Sequence, residues 1–363
     1  MLINQSIKKV KIGIFSMVQG FGNFYLSKKV FANFANSTCN FAVPQGLSWD
    51  SHPRNYSTLP LGTLQSQIRL TMDPWFLTGF TDGEGCFSIV IYKKKTLKIG
   101  WSVQLFFQIT LHSKDLPILE KIQSYLGGIG NITKERENSF RYRVASLKDL
   151  SLIINHFEKY PLLTQKRSDY ELFKQAIRLM EQKEHLTEAG LAKIVALKAS
   201  MNTGLSEELK LAFPKVIPVT RPLVEDQEIK DPNWLSGFTT GEGCYYINLH
   251  KSASHKLKER VKLVFQLSQH VRDLALMQSL VSTLDCGNIY VDNELVNFKI
   301  TQFKDLTDKV LPFFQKYPLL GVKSKDFEDF CKVAELMQNK AHLTVEGLDQ
   351  IRIIKAGMNT GRI

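Results

Sequence analysis

The sequence is poor in three things, and each shortage excludes something. No stretch approaches the roughly 18 consecutive apolar residues that a membrane-spanning helix needs, so no membrane partner is expected. Cysteine is scarce: five in 363 residues, an odd number with no C-x-x-C pair. That argues against a disulfide-stapled secreted fold and against a zinc module. Acids are nearly missing from the start, where residues 1–70 hold only Asp50 against seven Lys and Arg. What is present is 44% hydrophobic residues, enough to build cores, which excludes wholesale disorder. The length allows about two domains of ordinary size. A net charge of +12 favours a polyanionic partner. Half of that charge sits in the basic, hydroxylated leader 1–70, whose composition is that of an organelle transit segment. A disordered tail and translated sequence upstream of the first domain are the competing readings of this leader.

Beyond the leader the chain repeats itself. WFLTGFTDGEGCF at Trp75–Phe87 returns as WLSGFTTGEGCYY at Trp234–Tyr246, and Glu84 and Glu242 stand 158 residues apart. FFQIT at Phe106 returns as VFQLS at Val264, and FEKYPLL at Phe157 as FQKYPLL at Phe314. MEQKEHLTEAGL at Met180 returns as MQNKAHLTVEGL at Met337, and MNTG at Met201 recurs at Met358. Five blocks in one order define two homologous domains in tandem, 71–204 and 231–363. Residues 205–230 between them, punctuated by Pro214, Pro218 and Pro222, read as a linker.

Each half reads as an opening helix, two strands, a helix, a hairpin and closing helices. In the first half the strands are expected near 86–92, 102–111, 130–134 and 140–145. Alternation of Phe87, Ile89 and Ile91 with Ser88, Val90 and Tyr92 gives a strand with one buried face. The opening helices begin alike, at Asp73-Pro74 and Asp231-Pro232, with Asp suited to the N-cap and Pro to the first helical position. Gly79 and Gly83 share one helix face, as do Gly237 and Gly241. A helix-interior Gly costs about 1 kcal/mol relative to Ala, so two per helix need a reason, and close packing of the two helices supplies one. Symmetry then brings Glu84 and Glu242 to the same end of the interface. Neighbouring carboxylates repel unless a cation lies between them. Carboxylate and carbonyl oxygens suit Mg²⁺, which in phosphodiester cleavage activates a water and stabilises the leaving oxygen.

These residues resemble the signature of the LAGLIDADG homing endonucleases, which falls on LTGFTDGEG at Leu77–Gly85 and LSGFTTGEG at Leu235–Gly243. The resemblance runs from about Asp73 to the C-terminus and is closest to the single-chain, two-repeat branch of fungal mitochondrial introns. It implies an α+β fold of two tandem pseudo-symmetric αββαββα domains whose sheets form a saddle on double-stranded DNA. It implies a monomer with an internal pseudo-twofold axis, working in the mitochondrion in intron homing. The implied reaction is a double-strand break at a long, non-palindromic target with Mg²⁺, whose site also accepts Mn²⁺ or Ca²⁺. Carried over residue by residue, Glu84 and Glu242 match the catalytic, metal-binding acids, and the carbonyls of Gly83 and Gly241 the backbone metal ligands. Thr240 departs from the pattern by standing where the first copy has Asp82. That position supports the helix end, so activity is expected to persist. The family often keeps a Lys and a Gln near the scissile phosphates, and Lys262, Gln104, Gln108 and Gln266 are candidates without assigned roles. An alternative is a maturase that binds its host intron RNA with the same fold, with or without cleavage.

The strand face opposite the apolar one is expected to meet DNA. In the first half it offers Ser88, Tyr92, Ser102, Gln104 and Gln108, then Asn131, Thr133, Arg141 and Arg143. In the second it offers Tyr246, Asn248, His250, Arg260, Lys262, Gln266 and Ser268, then Asn288, Tyr290, Asn297, Lys299 and Thr301. Arg can bond guanine edges, while Asn and Gln can bond adenine. The two faces differ at almost every position, so the target is expected to lack a palindrome. Cys86 and Cys244 read as small strand residues, and Thr187 and Thr344 as N-caps of helices that follow His185 and His342.

Overall fold

The structure, a computed structural model, describes residues 72–253 and 256–362; the expectations for the leader lie outside the described residues. The first half runs α1 (Pro74–Glu84), β1 (Gly85–Lys93), β2 (Trp101–His112), α2 (Leu116–Tyr125), β3 (Asn131–Arg136) and β4 (Ser139–Val144). Three helices follow: α3 (Leu147–Lys159), α4 (Lys166–Glu181) and α5 (Glu188–Ala199). The second half repeats the order with α7 (Pro232–Glu242), β5 (Gly243–Lys251), β6 (Glu259–His270), α8 (Leu274–Leu284), β7 (Asn288–Asp292) and β8 (Leu295–Ile300). It closes with α9 (Phe303–Asp305), a π-helical turn (Leu306–Val310), α10 (Leu311–Lys316), α11 (Gly321–Gln338) and α12 (Val345–Ala356). The stretch between the halves contains a short helix, α6 (Glu207–Ala212). It is also tied down: Arg221 makes a paired contact with Asp169 at 2.6 and 3.0 Å, and Ser168 donates to the Pro222 carbonyl at 2.6 Å.

Each half holds one four-stranded antiparallel sheet, ordered β1-β2-β4-β3 and β5-β6-β8-β7. Side-chain alternation buries one face of each, as the sequence pattern requires. Phe87 pairs with Phe107 and Ile89 with Leu105 on the inner face of the first sheet. There Phe87 packs on Phe157, Tyr170 and Phe173 from the covering helices α3 and α4. The second half rebuilds the same aromatic box from Tyr245 against Phe314, Phe327 and Phe330. The recurring MNTG block also has a structural reason. Asn202 and Asn359 sit in the left-handed region (φ 48° and 53°), where Asn is tolerated. Their side-chain amides donate to the carbonyls of Phe87 and Tyr245, both at 2.9 Å.

The helices α1 and α7 lie against each other at the centre. Asp73 caps α1 through the Trp75 N–H at 2.8 Å, and Asp231 caps α7 through the Asn233 N–H at 2.8 Å. A Cβ on Gly79 would meet the Trp234 carbonyl oxygen at 1.9 Å, and one on Gly237 would meet that of Phe76 at 2.0 Å. The backbones touch where the glycines are, so any side chain there forces the helices apart. This reciprocity corrects the alignment of the repeats. Trp234 corresponds to Phe76, not to Trp75, whose own counterpart is Asn233 and whose ring instead meets Tyr160 edge-on at 5.5 Å.

Candidate active site and DNA-facing surface

The two signature helices end side by side, and their acids cross. Glu242 Cγ lies 3.3 Å from the Cβ position of Gly83, and Glu84 Cγ lies 3.2 Å from that of Gly241. Each carboxylate therefore lies over the other half's glycine. Burial raises both carboxyls above the usual range, and the charge of Glu84 raises Glu242 further. The opposing pull comes from two ammonium groups, Lys166 and Lys323, which act on both acids.

These lysines are absent from the sequence reading, yet they are equivalent. KYPLLTQK ends at Lys166 and KYPLLGVK at Lys323, 157 residues on. The repeat of the FEKYPLL block continued three residues further would have found them. Lys166 opens α4 and donates to the carbonyls of Thr81 at 2.9 Å and Gly83 at 2.7 Å. Burial pushes its ammonium pKa down, against the pull of Asp82, Glu242 and Glu84. Lys323, in the first turn of α11, donates to the Gly243 carbonyl. Of the lysine and glutamine candidates from sequence, Gln108 and Gln266 stand one pair beyond the signature, opposite Cys86 and Cys244. Gln104 and Lys262 lie further out, opposite Val90 and Asn248.

Asp82, next to this site, is buried and accepts four hydrogen bonds. The N–H groups of Leu163 and Thr164 donate at 2.9 and 3.1 Å, the Thr164 hydroxyl at 2.5 Å, and the Trp234 indole N–H at 2.8 Å. The last bond crosses between the halves. Thr240 at the equivalent place donates to the Ser236 carbonyl at 2.9 Å and receives only the Leu320 N–H at 3.4 Å. As expected of this position, both side chains brace the helix end.

The strand registers put the proposed DNA-facing residues on common faces. Ser88 stands opposite Phe106, Tyr92 opposite Ser102, and Arg143 between Gln108 and Asn131; Arg141 pairs with Thr133. In the second sheet Tyr246 stands opposite Val264, Asn248 opposite Lys262 and His250 opposite Arg260. Lys299 lies between Gln266 and Asn288, and Asn297 between Ser268 and Tyr290. Thr301 falls one residue beyond β8, outside the strand where its alternation had put it. The two faces are wired differently. Arg143 stacks its guanidinium 3.7 Å from the centre of the Phe106 ring, and Arg141 pairs with Glu135, where a register shift bends β3. In the second half Gln266 donates to Ser268 at 2.8 Å and to Asn297 at 2.9 Å, a neutral network. Away from these faces, Thr187 and Thr344 cap their helices through Gly190 and Gly347.

The sequence profile described as LAGLIDADG endonuclease matches residues 77–177 and 235–334. The chain is 44% identical over 289 residues to "Probable intron-encoded endonuclease 3" of Neurospora crassa, spanning 78% of this chain and 54% of that one. It is 38% identical to "Probable intron-encoded endonuclease 2" of the same organism, over 83% of this chain and 69% of that one. Among solved structures it is similar to the I-SmaMI LAGLIDADG homing endonuclease bound to cleaved DNA. The TM-score is 0.79 at 46% identity, covering 81% of this chain and 99% of that one. The same endonuclease bound to its uncleaved DNA target in the presence of calcium ions gives a TM-score of 0.78 at 46% identity, over 80% and 99% of the two chains.

Proposed function

The chain belongs to the LAGLIDADG endonuclease family, and from that premise we propose that it is an active homing endonuclease. It makes a metal-dependent double-strand break in a long, non-palindromic DNA target and acts as a monomer. The single observation that carries this reading is the crossed pair of acids, each lying over the glycine of the other half and both raised by burial. Two carboxylates that repel in a shared, partly desolvated place are costly to keep unless a cation is to join them.

The donor set fits such an ion. Among the described residues no cluster of three His, Cys, Asp or Glu forms an all-protein cage. Mg²⁺ is usually held by one or two carboxylates together with substrate phosphates and waters. Glu84, Glu242 and the carbonyls of Gly83 and Gly241 would hold such an ion through hard oxygen donors of that kind. A divalent cation held there supplies an activated water and a stabilised leaving oxygen. The Gly83 carbonyl keeps a second lone pair beside its bond from Lys166. Lys166 and Lys323 each place a positive charge beside the acids, where charge develops on the attacked phosphate. The sheet faces hold the duplex, with Arg141, Arg143 and Arg260 suited to phosphates or guanine edges. I-SmaMI, a relative bound to cleaved DNA and also to uncleaved DNA with calcium ions, supports both the partner and the metal. The intron-encoded relatives support homing as the biological role, and the composition of the basic leader supports a mitochondrial address.

The test is cleavage of a plasmid carrying the joined exons of the host gene. Protein with Mg²⁺ is expected to linearise it, and chelation to stop the reaction. Glu84→Gln and Glu242→Gln are expected to retain DNA binding while double-strand cleavage falls at least about 100-fold. Normal cutting by the double Gln variant would sink the assignment. Splicing of the host intron RNA, compared with and without the protein, reads any maturase activity separately.

A further inference from the structure

The helices that carry Lys166 and Lys323 are each held from the opposite half. Asp115 ends the short turn after β2 in the first half. Its carboxylate accepts the N–H of Val322, at 2.7 Å, in the second half. Asp273 is its counterpart after β6, and accepts the N–H of Gln165 at 2.7 Å in the first half. Val322 and Gln165 are the residues immediately before the two lysines. The contact is therefore reciprocal, one aspartate per half and one lysine per aspartate. It also explains Gly321, whose φ is +64° and whose Cβ position lies 2.1 Å from Asp115 Oδ1. A side chain there would displace the aspartate. Asp273 is fully buried and receives a second bond, from the Gln227 amide at 3.2 Å.

We propose that Asp115 and Asp273 are positioning residues that act across the molecule, each setting the active-site lysine of the other half. This rests on the endonuclease reading above and deepens it: each strand-cleaving centre is completed by a residue from both repeats. A carboxylate at the start of a helix satisfies an N–H that has no partner within the helix. That bond fixes the first turn, and the first turn fixes the lysine. The two arms are unequal. Thr164, two residues before Lys166, is also held by Asp82, and its hydroxyl accepts the Lys166 N–H at 3.3 Å. The equivalent residue before Lys323 is Gly321, which has no side chain to offer. Lys323 therefore depends on Asp115 more than Lys166 depends on Asp273.

The experiment is single-turnover cleavage of a duplex carrying the joined-exon target, with the two strands labelled separately. Lys166→Ala and Lys323→Ala first identify which strand each lysine serves. Asp115→Ala is then expected to slow the Lys323 strand about 10- to 100-fold, with the other strand changed far less. Asp273→Ala is expected to slow the Lys166 strand, by a smaller factor. Asp115→Asn, which keeps the acceptor oxygen, is expected to restore most of the lost rate. Gly321→Ala, which pushes on the same aspartate from the other side, is expected to reproduce the bias of Asp115→Ala and serves if that variant folds poorly. Equal slowing of both strands, or a bias that follows the lysine of the aspartate's own half, overturns the proposal while leaving the endonuclease reading intact. Failure of the unmodified protein to cut overturns the endonuclease reading itself.

Discussion

In the first half, the polar groups beneath the signature helix make two sets of hydrogen bonds, one around Asp82 and one around His156. In the second, the same positions are filled by apolar or shorter residues. Asp82 becomes Thr240, His156 becomes Phe313, and the phenol of Tyr125 becomes the hydroxyl of Thr283. The Thr78 hydroxyl donates to the Tyr160 carbonyl at 2.9 Å, so the contact at 3.2 Å is a bond donated by the His156 Nε2–H. That leaves Nδ1 to accept from the Tyr125 hydroxyl at 3.2 Å. Ser236, the counterpart of Thr78, simply donates to the Pro318 carbonyl at 2.8 Å. Even the helix that follows the hairpin differs. α3 is regular, whereas the second half widens into a π turn just before Pro312, whose ring crowds the carbonyl four residues back and which offers no N–H. Two solutions to one fold show what the fold itself demands: crossed glycines, caps and an aromatic box. The bracing around them is negotiable.

The two halves differ most sharply at Asp82. Replacing it with the residue of the other half, Asp82→Thr, strands the N–H groups of Leu163 and Trp234 in the interior. The expected loss is about 3–5 kcal/mol by denaturant unfolding. Thr240→Val, which removes one hydroxyl bond, is expected to cost only about 1 kcal/mol. Equal costs would show that the two braces are equivalent after all.

A second contrast is in acid. Burial pushes His156 down to about 4, against an ordinary value near 6.5. Its folded value lies below its unfolded one, so the unfolded chain takes up the proton first. The stability this group contributes is complete above about pH 6.5 and is lost as pH falls towards 4, at most about 3 kcal/mol. His156→Phe, copying Phe313, is expected to flatten that part of the pH–stability curve. An unchanged slope would mean that another group dominates it.

The smallest effect has opposite signs in the two halves. Tyr170 places its hydroxyl against Glu158 at 2.5 Å, while the buried Tyr245 hydroxyl has no hydrogen-bond partner among the described residues. Tyr245→Phe is therefore expected to stabilise by about 1 kcal/mol, and Tyr170→Phe to destabilise by a similar amount. Melting temperatures of the two variants decide it; a matching sign would remove the distinction.

Much of this molecule is legible in its sequence because duplication writes each requirement twice. The capping aspartates, the paired glycines, the acids and the inward strand positions all stand at one offset. Strand alternation separated the polar face from the buried one, except that Phe106 on the polar face is buried and Thr301 lies where the chain leaves β8. The lysines were harder. A lysine at the start of a helix usually faces water, and nothing local marks Lys166 as turning inward onto the Gly83 carbonyl. Asp115 and Asp273 were invisible for a different reason. Each looks like an ordinary residue before a helix, and its partner lies 207 or 108 residues away. Short α6 was hidden by the prolines that follow it.

The contact between the Gly79 and Trp234 backbones has a consequence for how such a chain changes over time. A side chain on the exposed face of a sheet, such as Gln104, has few neighbours to answer to and can drift alone. Gly79 answers to a peptide on the far repeat, with no room for even one methyl group. Any change there must be matched by a second change in a distant part of the same reading frame. Fusion of the two copies thus divides the molecule into a part free to explore and a part held still by mutual consent. A lineage built this way can vary its sheet faces while its helix interface stays the same.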